Sequence, residues 1–257
     1  MIEAHSLNYI AKEHFIINDI DFSCDKGEFI AVLGPNGAGK STFLSVLANE
    51  IHHKENKILL KSCEYSNWCK KTLPKHKAKF SQHHNSDIPL NVEDVVMMGR
   101  YPYFESIPSD SDKKAIQESM ECIDVCPLQH RAYNQLSGGE KQRVHLARVL
   151  AQLNNDIDNK LLFLDEPLNN LDILHQHKIL NLIKEFVQKD NTAIIVLHDL
   201  NLAAQYADKI LLLEKGKKII YDSPEKVLTQ EILTSVYKFP CTVTKNPINN
   251  NPLIIFG

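Results

Sequence analysis

The chain has 257 residues and is 43% hydrophobic, which allows one large α/β domain, or two small ones, around a buried core. Its formal net charge is −3, so overall charge gives no indication of a nucleic-acid-binding protein. No apolar run approaches the length of a membrane-spanning helix, and the first residues lack the pattern of a secretion signal. Six cysteines without C-x-x-C spacing favour reduced thiols in the cytosol.

Residues 2–32 alternate short apolar runs with turns, a period-two pattern that predicts strands at an antiparallel edge. The next run, residues 28–33, is largely apolar and predicts a buried strand. Tyr9 lies in the first run, where its ring could stack on a nucleotide base or pack as a half-buried strand residue. Both interpretations of Tyr9 are open at this point.

A glycine-rich stretch follows the buried strand and fits the phosphate-binding pattern G-x-x-x-x-G-K-[ST]. Its members are Gly34, Pro35, Asn36, Gly37, Ala38, Gly39, Lys40, Ser41 and Thr42. Apolar residues at helical spacing come next, so the stretch joins a strand to a helix, as the motif requires. Its backbone N–H groups and the helix N-terminus can bind phosphate oxygens. Lys40 can reach the β- and γ-phosphates of a nucleotide, and Ser41 can ligate Mg²⁺.

From about residue 85 the pattern becomes helical. Asn91 is placed to cap a short helix that contains a methionine pair, and the aromatic residues of 100–104 follow it. Two interpretations of this methionine-rich and aromatic stretch are open, a partner-facing surface and a satellite of the core. A longer helix is predicted to start at Ser109 and to stop at Pro127.

The stretch 136–140 predicts another capped helix. Ser137 and Glu140 have the spacing of a capping box, and apolar residues at helical spacing follow. Gly138 and Gly139 leave backbone N–H groups open to an anion at the helix start. By itself this spacing indicates only a well-capped helix, and its pairing with the loop at Lys40 favours a functional interpretation.

Two further predicted strands end in residues that suit phosphate chemistry. Residues 161–164 are apolar and end in Asp165 and Glu166, at the position where open α/β sheets bind ligands. Asp165 suits Mg²⁺, and Glu166 suits the role of base for an attacking water. A buried strand over 193–197 ends in His198, which can donate to a γ-phosphate, and Asp199, which can cap the next helix.

Beyond these strands the sequence predicts a hairpin around Gly216, a helical stretch over 224–238 and strands within 240–257. Taken together, the motifs resemble the nucleotide-binding subunit of ATP-binding cassette (ABC) transporters over essentially the whole chain. They occur in the family's order: the phosphate loop 34–42, the Q-loop glutamine Gln82, the signature 136–140, the acidic strand end Asp165 and Glu166, the D-loop 170–172 and the switch histidine His198. One departure is Ala11, which stands where the family usually has an adenine-stacking aromatic, so that Tyr9 is the substitute.

The resemblance implies an α/β P-loop NTPase fold, an ABC-type ATPase core with an antiparallel β edge and an inserted helical subdomain. Within a single domain over 1–257, the core would comprise 1–84 and 155–223, the helical subdomain 85–154 and a C-terminal extension 224–257.

The resemblance also implies cofactors, catalytic residues and partners. ATP and Mg²⁺ would be the cofactors, with Ser41, Gln82 and Asp165 as metal ligands, and with Glu166, His198 and Gln82 as catalytic residues. Two copies would form a head-to-tail dimer in which one copy covers the ATP bound at Lys40 of the other. The covering residues would be Ser137 and Gly139, and Gly138 and Asp172 would also belong to the nucleotide-binding residues. The dimer would drive two transmembrane permease subunits from the cytoplasmic face of the cell membrane, with a substrate-binding protein as an indirect partner and no nucleic acid.

Only subfamily resemblance indicates the transported substrate. Residues 223–237 look like the group that imports iron-siderophores, haem and cobalamin, and 144–152 and 171–177 look most like haem-importer subunits. We therefore expect haem import, with ferric-siderophore or cobalamin import as the alternative. His175 and His177 are expected to be structural or interface residues, because i, i+2 histidines on a helix point to different faces. A soluble ABC ATPase not tied to transport is the alternative from another class.

Overall fold

The computed structural model of the protein describes residues 1–51, 56–81 and 90–257. Within these ranges the strands are Ile2–Ala11 (β1), His14–Cys24 (β2), Phe29–Leu33 (β3), Lys57–Leu60 (β4), Cys63–Glu64 (β5), Lys77–Phe80 (β6), Leu161–Asp165 (β7), Thr192–Val196 (β8), Lys209–Glu214 (β9), Lys217–Asp222 (β10), Cys241–Lys245 (β11) and Pro252–Phe256 (β12). The α-helices are Lys40–Leu47 (α1), Leu73–His76 (α2), Val92–Met97 (α3), Asp110–Cys122 (α4), Gly138–Leu153 (α5), Ile173–Gln188 (α6), Leu200–Tyr206 (α7), Pro224–Val227 (α8) and Gln230–Tyr237 (α9). Short 3-10 helices span Tyr65–Asn67, Met98–Arg100, Cys126–Leu128 and Tyr133–Gln135.

The central sheet of the described chain has the strand order β10-β9-β3-β8-β7-β6. All neighbouring pairs are parallel except β9 and β10, which form the predicted antiparallel hairpin. β3, β7 and β8 are buried along their whole length, as expected for parallel strands covered on both faces. Because these strands are parallel, the phosphate loop, Asp165 and His198 all lie at the same edge of the sheet.

An antiparallel sheet with the order β2-β1-β4-β5 lies beside the central sheet. One cluster of buried side chains joins the two sheets through α1, and it includes Ile2, Ile17, Phe43 and Phe163. The strands predicted from the period-two pattern are thus present as β1 and β2. The packing fixes α1, and with it the phosphate loop, between two sheets.

The helices α3, α4 and α5 pack against the opposite side of the molecule, where they share the larger buried cluster with α6 and α7. Asn91, Ser109 and Ser137 each form a capping box at the start of one of these helices. Arg100 pairs with Asp112 at 2.9 Å, and their side chains are only 5% and 4% exposed. Arg100 also donates to the carbonyl oxygens of Ala151 and Asn154, at 2.8 and 2.7 Å, which ties the aromatic stretch to the end of α5.

The C-terminal residues form two helices and a hairpin. The single helical stretch predicted over 224–238 is wrong, because α8 ends at Val227 and Thr229 caps a separate helix by accepting from the Ile232 N–H. The strands predicted within 240–257 are present as β11 and β12, which pair antiparallel, and β12 docks on α7. The Asn201 side chain makes this contact by accepting from the Ile254 N–H at 2.8 Å and donating to its carbonyl oxygen at 3.2 Å.

Candidate nucleotide-binding and hydrolysis site

The phosphate loop connects β3 to α1 and follows a path that only glycine permits at two positions. Gly34 has φ 147°, and a Cβ there would lie 2.1 Å from the carbonyl oxygen of Leu213. Gly39 has φ 95°, and a Cβ there would lie 2.6 Å from the carbonyl oxygen of Ile16. The loop is therefore pressed against β9 and β2, and its curvature is set by neighbouring backbone.

Lys40 is the first residue of α1, and its side chain folds back over the loop. Its Nζ donates to the carbonyl oxygens of Gly34 and Pro35, at 2.8 and 3.1 Å. Burial lowers the pKa of the Lys40 ammonium, and the nearby Glu166 and Asp165 carboxylates oppose that effect. The ammonium is thus held at the centre of the loop, within reach of a phosphate placed there.

Ser41 and Asp165 form an oxygen pair between the loop and the end of β7. The Ser41 hydroxyl donates to Asp165 Oδ1 at 2.9 Å, and Asp165 is buried. Burial raises the pKa of the Asp165 carboxyl, against the Ser41 hydrogen bond and the charge of Lys79. A hydroxyl and a carboxylate in contact are hard oxygen ligands, so these residues fit Mg²⁺. The third ligand expected from the sequence, Gln82, lies outside the described residues.

Glu166 follows β7 with φ 52°, a left-handed conformation that residues with a side chain rarely adopt. Its Oε1 lies 2.7 Å from His198 Nε2, and its Oε2 accepts from Asn169 Nδ2 at 2.7 Å. Gln142 of α5 donates to the Glu166 backbone carbonyl at 3.1 Å. The carboxylate is therefore held by three elements at the edge of the sheet, oriented to accept a proton.

The signature stretch and the D-loop contact each other. The Ser137 hydroxyl accepts from the Glu140 N–H at 3.3 Å, and the Ser137 backbone N–H donates to Glu140 Oε2 at 2.8 Å, which completes the predicted capping box. A Cβ at Gly139 would lie 2.7 Å from the carbonyl oxygen of Asn170, so the D-loop packs directly on the start of α5. Gly138 lies next to the same D-loop residue. The signature stretch and the D-loop are therefore in direct contact within one copy of the chain.

Asp172, at the end of the D-loop, is the N-cap of α6 and accepts from the His175 N–H at 2.9 Å. The His175 ring also lies on this carboxylate, with Nδ1 at 2.8 Å from Oδ1, and the two hydrogen bonds lower the pKa of Asp172. His177 instead contacts the Tyr206 hydroxyl through Nδ1 at 2.7 Å. The two histidines point in different directions, as their spacing predicts.

Tyr9 is half-buried and packs against the cluster shared with α1. Its register partner in β2 is Ile17, whose Cδ1 would lie 3.0 Å from a Cβ at Gly39. Ile17 therefore lies between Tyr9 and the phosphate loop. Its role as a base-stacking residue stays a prediction.

The methionine-rich and aromatic stretch shows features of both open interpretations. Met97 packs against the larger core cluster, and the Arg100 guanidinium lies 3.6 Å from the ring centre of Tyr103. Tyr101, in contrast, is 57% exposed. It lines a cavity of about 430 Å³ together with Pro102, Phe104, residues 70–72 and residues 74–75. One side of the stretch is core and the other is open surface.

Sequence patterns did not indicate Gln142, Asn169 or Lys79 as residues near the site. Gln142 lies two positions after the signature and Asn169 three after Glu166, and a turn residue or a helix residue at these places is ordinary. Their contacts depend on how α5, β6 and β7 pack.

A phosphate loop, an oxygen pair and a carboxylate–histidine pair at the carboxyl edge of a parallel sheet define the class of the protein, a P-loop nucleoside triphosphatase.

Comparison with known proteins narrows that class. The family model for the ABC transporter matches residues 17–169. The chain is 40% identical to the hemin import ATP-binding protein HmuV of Pseudomonas fluorescens (strain Pf0-1), over 99% of both chains. It is also 40% identical to the protein of that name from Escherichia coli O157:H7, over 99% of both chains. The chain therefore belongs to the ABC transporter family and is an ATP-binding ATPase of that family.

Solved structures agree with the fold. A chain of a metal-chelate type ABC transporter, in an inward-facing conformation, superposes with a TM-score of 0.82 at 24% identity and covers 100% of this chain and 96% of its own. The ATP-binding cassette MJ0796, in a dimeric structure bound to ADP and Pi, superposes with a TM-score of 0.76 at 22% identity, over 87% of this chain and 99% of its own. Among the described residues, no helix is both long and apolar enough to cross a membrane.

Proposed function

We propose that the protein is the ATP-hydrolysing subunit of a membrane importer for haem. The observation that supports this substrate most directly is 39–40% identity over 99% of the chain to three hemin import ATP-binding proteins. The import of a ferric siderophore or of cobalamin is the second candidate. It is favoured only by the fold shared with a metal-chelate type transporter.

In the proposed mechanism the phosphate loop and Lys40 bind the phosphates of ATP. Lys40 exchanges its contacts with the Gly34 and Pro35 carbonyls for phosphate oxygens, which are stronger partners for an ammonium. Ser41 and Asp165 would hold Mg²⁺, with Gln82 as the third expected ligand, and the metal would supply positive charge for the phosphates.

Glu166 accepts a proton from the attacking water, and the His198 ring holds the carboxylate in place and can donate to the γ-phosphate. The water oxygen bonds to the γ-phosphorus as the bond to the leaving ADP oxygen breaks, giving ADP and phosphate. Asn169 and Gln142 restrict the position of Glu166 through its other carboxylate oxygen and its backbone carbonyl. This restriction keeps the base aligned with the water.

The proposed working unit is a head-to-tail dimer of this chain. The start of α5 and the D-loop present Ser137, Gly139 and Asp172 on one continuous surface, since Gly139 packs against the D-loop. The open backbone N–H groups at a helix start attract an anion, such as the γ-phosphate bound by the other copy. The dimeric cassette of the same fold supports this arrangement.

The dimer is proposed to act at the cytoplasmic face of the cell membrane, bound to two permease subunits. The surface around Tyr101, with its open cavity of about 430 Å³, suits such a partner because it combines the exposed aromatic ring of Tyr101 with lysines. Movement of this surface when ATP binds would be transmitted through Arg100 to α4 and α5.

The test is the ATPase activity of the chain reconstituted with its permease in lipid vesicles. Haem-loaded binding protein should stimulate phosphate release, and the Glu166→Gln protein in the same vesicles should release almost none. Stimulation by a ferric siderophore or by cobalamin, with none by haem, would contradict the haem assignment and leave the ATPase assignment intact. Co-purification with ribosomes instead of membranes would favour the soluble alternative.

A further inference from the structure

Lys79 is a buried lysine on β6, at the edge of the central sheet. Its side chain is 6% exposed, and its Nζ lies 2.5 Å from Glu50 Oε2 and donates to Ser45 Oγ at 2.8 Å. Ser45 belongs to α1, the helix that begins with Lys40. A buried ammonium is costly unless it is paired, so these contacts fix Lys79 against the phosphate-loop helix.

Lys79 faces the same space as the oxygen pair proposed for the metal. A cavity of about 370 Å³ lies between β6 and α1, and its lining includes Ser41, Thr42, Ser45, Glu50, Lys79 and Asp165. Two cations therefore flank the site, Lys40 from the loop and Lys79 from the sheet edge.

The Glu50 carboxylate does not fully cancel the charge of Lys79. The Glu50 side chain is 47% exposed, so solvent screens its negative charge. The Lys79 side chain is 6% exposed, so its positive charge is screened less. Two more cations, the half-buried Lys77 and Arg148, line the adjoining cavity of about 400 Å³ that Glu50 and Lys79 also line. Lys79 therefore places a positive charge in the space beside Ser41 and Asp165, and a positive charge attracts phosphate and repels a metal ion.

We propose that Lys79 is a second cationic residue of the nucleotide site, one that strengthens the binding of metal-free ATP and weakens the binding of Mg²⁺ beside Ser41 and Asp165. The proposal rests on the nucleotide site of the proposed function. Its two effects have opposite signs because phosphate and metal have opposite charges. If Lys79 only stabilised the fold, its replacement would change the affinity for ATP and the affinity for the metal in the same direction.

The experiment compares wild type with Lys79→Met, Lys79→Arg and a matched control, Lys26→Met, which removes a lysine from a solvent-exposed pair with Asp190. ATP affinity is measured in EDTA. Mn²⁺ is then titrated into protein held in excess over ATP, and the loss of the free-ion paramagnetic resonance signal reports bound metal. Lys79→Met should weaken ATP binding about three- to tenfold and tighten Mn²⁺ binding by a similar factor. Lys79→Arg and Lys26→Met should resemble wild type.

Unchanged constants in Lys79→Met, or a parallel loss of both, would overturn the proposal. If thermal melting shows that Lys79→Met does not fold, Glu50→Gln carries the test. That variant leaves Lys79 without its carboxylate, so Mn²⁺ binding should weaken, and unchanged or tighter binding would overturn the proposal. The Lys40→Ala variant tests the nucleotide site independently of Lys79, because ATP binding retained in that variant would refute the nucleotide site itself.

Discussion

Replacing Glu166 with glutamine changes one property of the site and keeps the rest. Glutamine has nearly the same shape, and its amide can still contact His198 and Asn169, which hold the carboxylate at 2.7 Å each. The left-handed backbone at position 166 and the hydrogen bond from Gln142 to its carbonyl are unaffected by the exchange. The property removed is the negative charge of the carboxylate, and with it the ability to accept a proton.

The size of the effect follows from the loss of that ability. A positioned general base contributes a factor of about 10² to 10⁴ in rate. This factor corresponds to about 2.7–5.4 kcal/mol of the activation barrier. Nucleotide affinity should stay within about threefold of wild type, because the contacts of Lys40 and the loop do not involve the Glu166 proton acceptor.

The assay measures phosphate release and ATP affinity of Glu166→Gln beside a control, Glu105→Gln. Glu105 is an exposed carboxylate whose side chain pairs with Lys71, so its replacement should leave turnover unchanged. Turnover of Glu166→Gln above about one tenth of wild type would fall outside the range for a general base and refute its role.

Three further predictions concern stability. Asn201→Ala removes both bonds between α7 and β12 and should cost about 1–3 kcal/mol, seen as a lower melting temperature with normal ATP affinity, and an unchanged melting temperature would contradict the docking contact. Arg100→Met leaves Asp112 buried without its ion pair, which should cost about 3–5 kcal/mol in denaturant unfolding, and a loss under 1 kcal/mol would contradict the role of the pair. Burial alone would raise the pKa of Asp112, but hydrogen bonds from Ser109 and the Arg100 pair lower it, so the stability it contributes is present above its unfolded pKa. That contribution should be lost as pH falls below about 4, and Asp112→Asn should show no such loss in the same pH series.

Local patterns predicted the parts of the site that short segments determine. The phosphate loop was predictable because glycine, lysine and serine must stand at fixed offsets after a buried strand. The capping boxes of Ser137 and of Asn91 were predictable for a related reason, since each closes within four residues. Asp165 and His198 were predicted to be near each other only through the rule that parallel strands end at one edge.

Contacts between distant segments were not predictable in the same way. Lys79 reaches Ser45 across 34 positions and Gln142 reaches Glu166 across 24, and no periodicity links such residues. Lys79 also stands in a strand where the alternation predicts only a half-buried surface residue. The break between α8 and α9 was missed because the apolar spacing continues through it, although Thr229 is a good N-cap.

In the proposed dimer each nucleotide is shared by two copies of the chain. Light scattering coupled to size-exclusion chromatography tests this with the Glu166→Gln protein, which is expected to bind Mg-ATP and to hydrolyse it slowly. Glu166→Gln should be a dimer with Mg-ATP and a monomer without nucleotide, and Glu166→Gln combined with Ser137→Ala should be a monomer in both conditions. A protein that stays monomeric with Mg-ATP, even when its permease is present, would contradict the shared site.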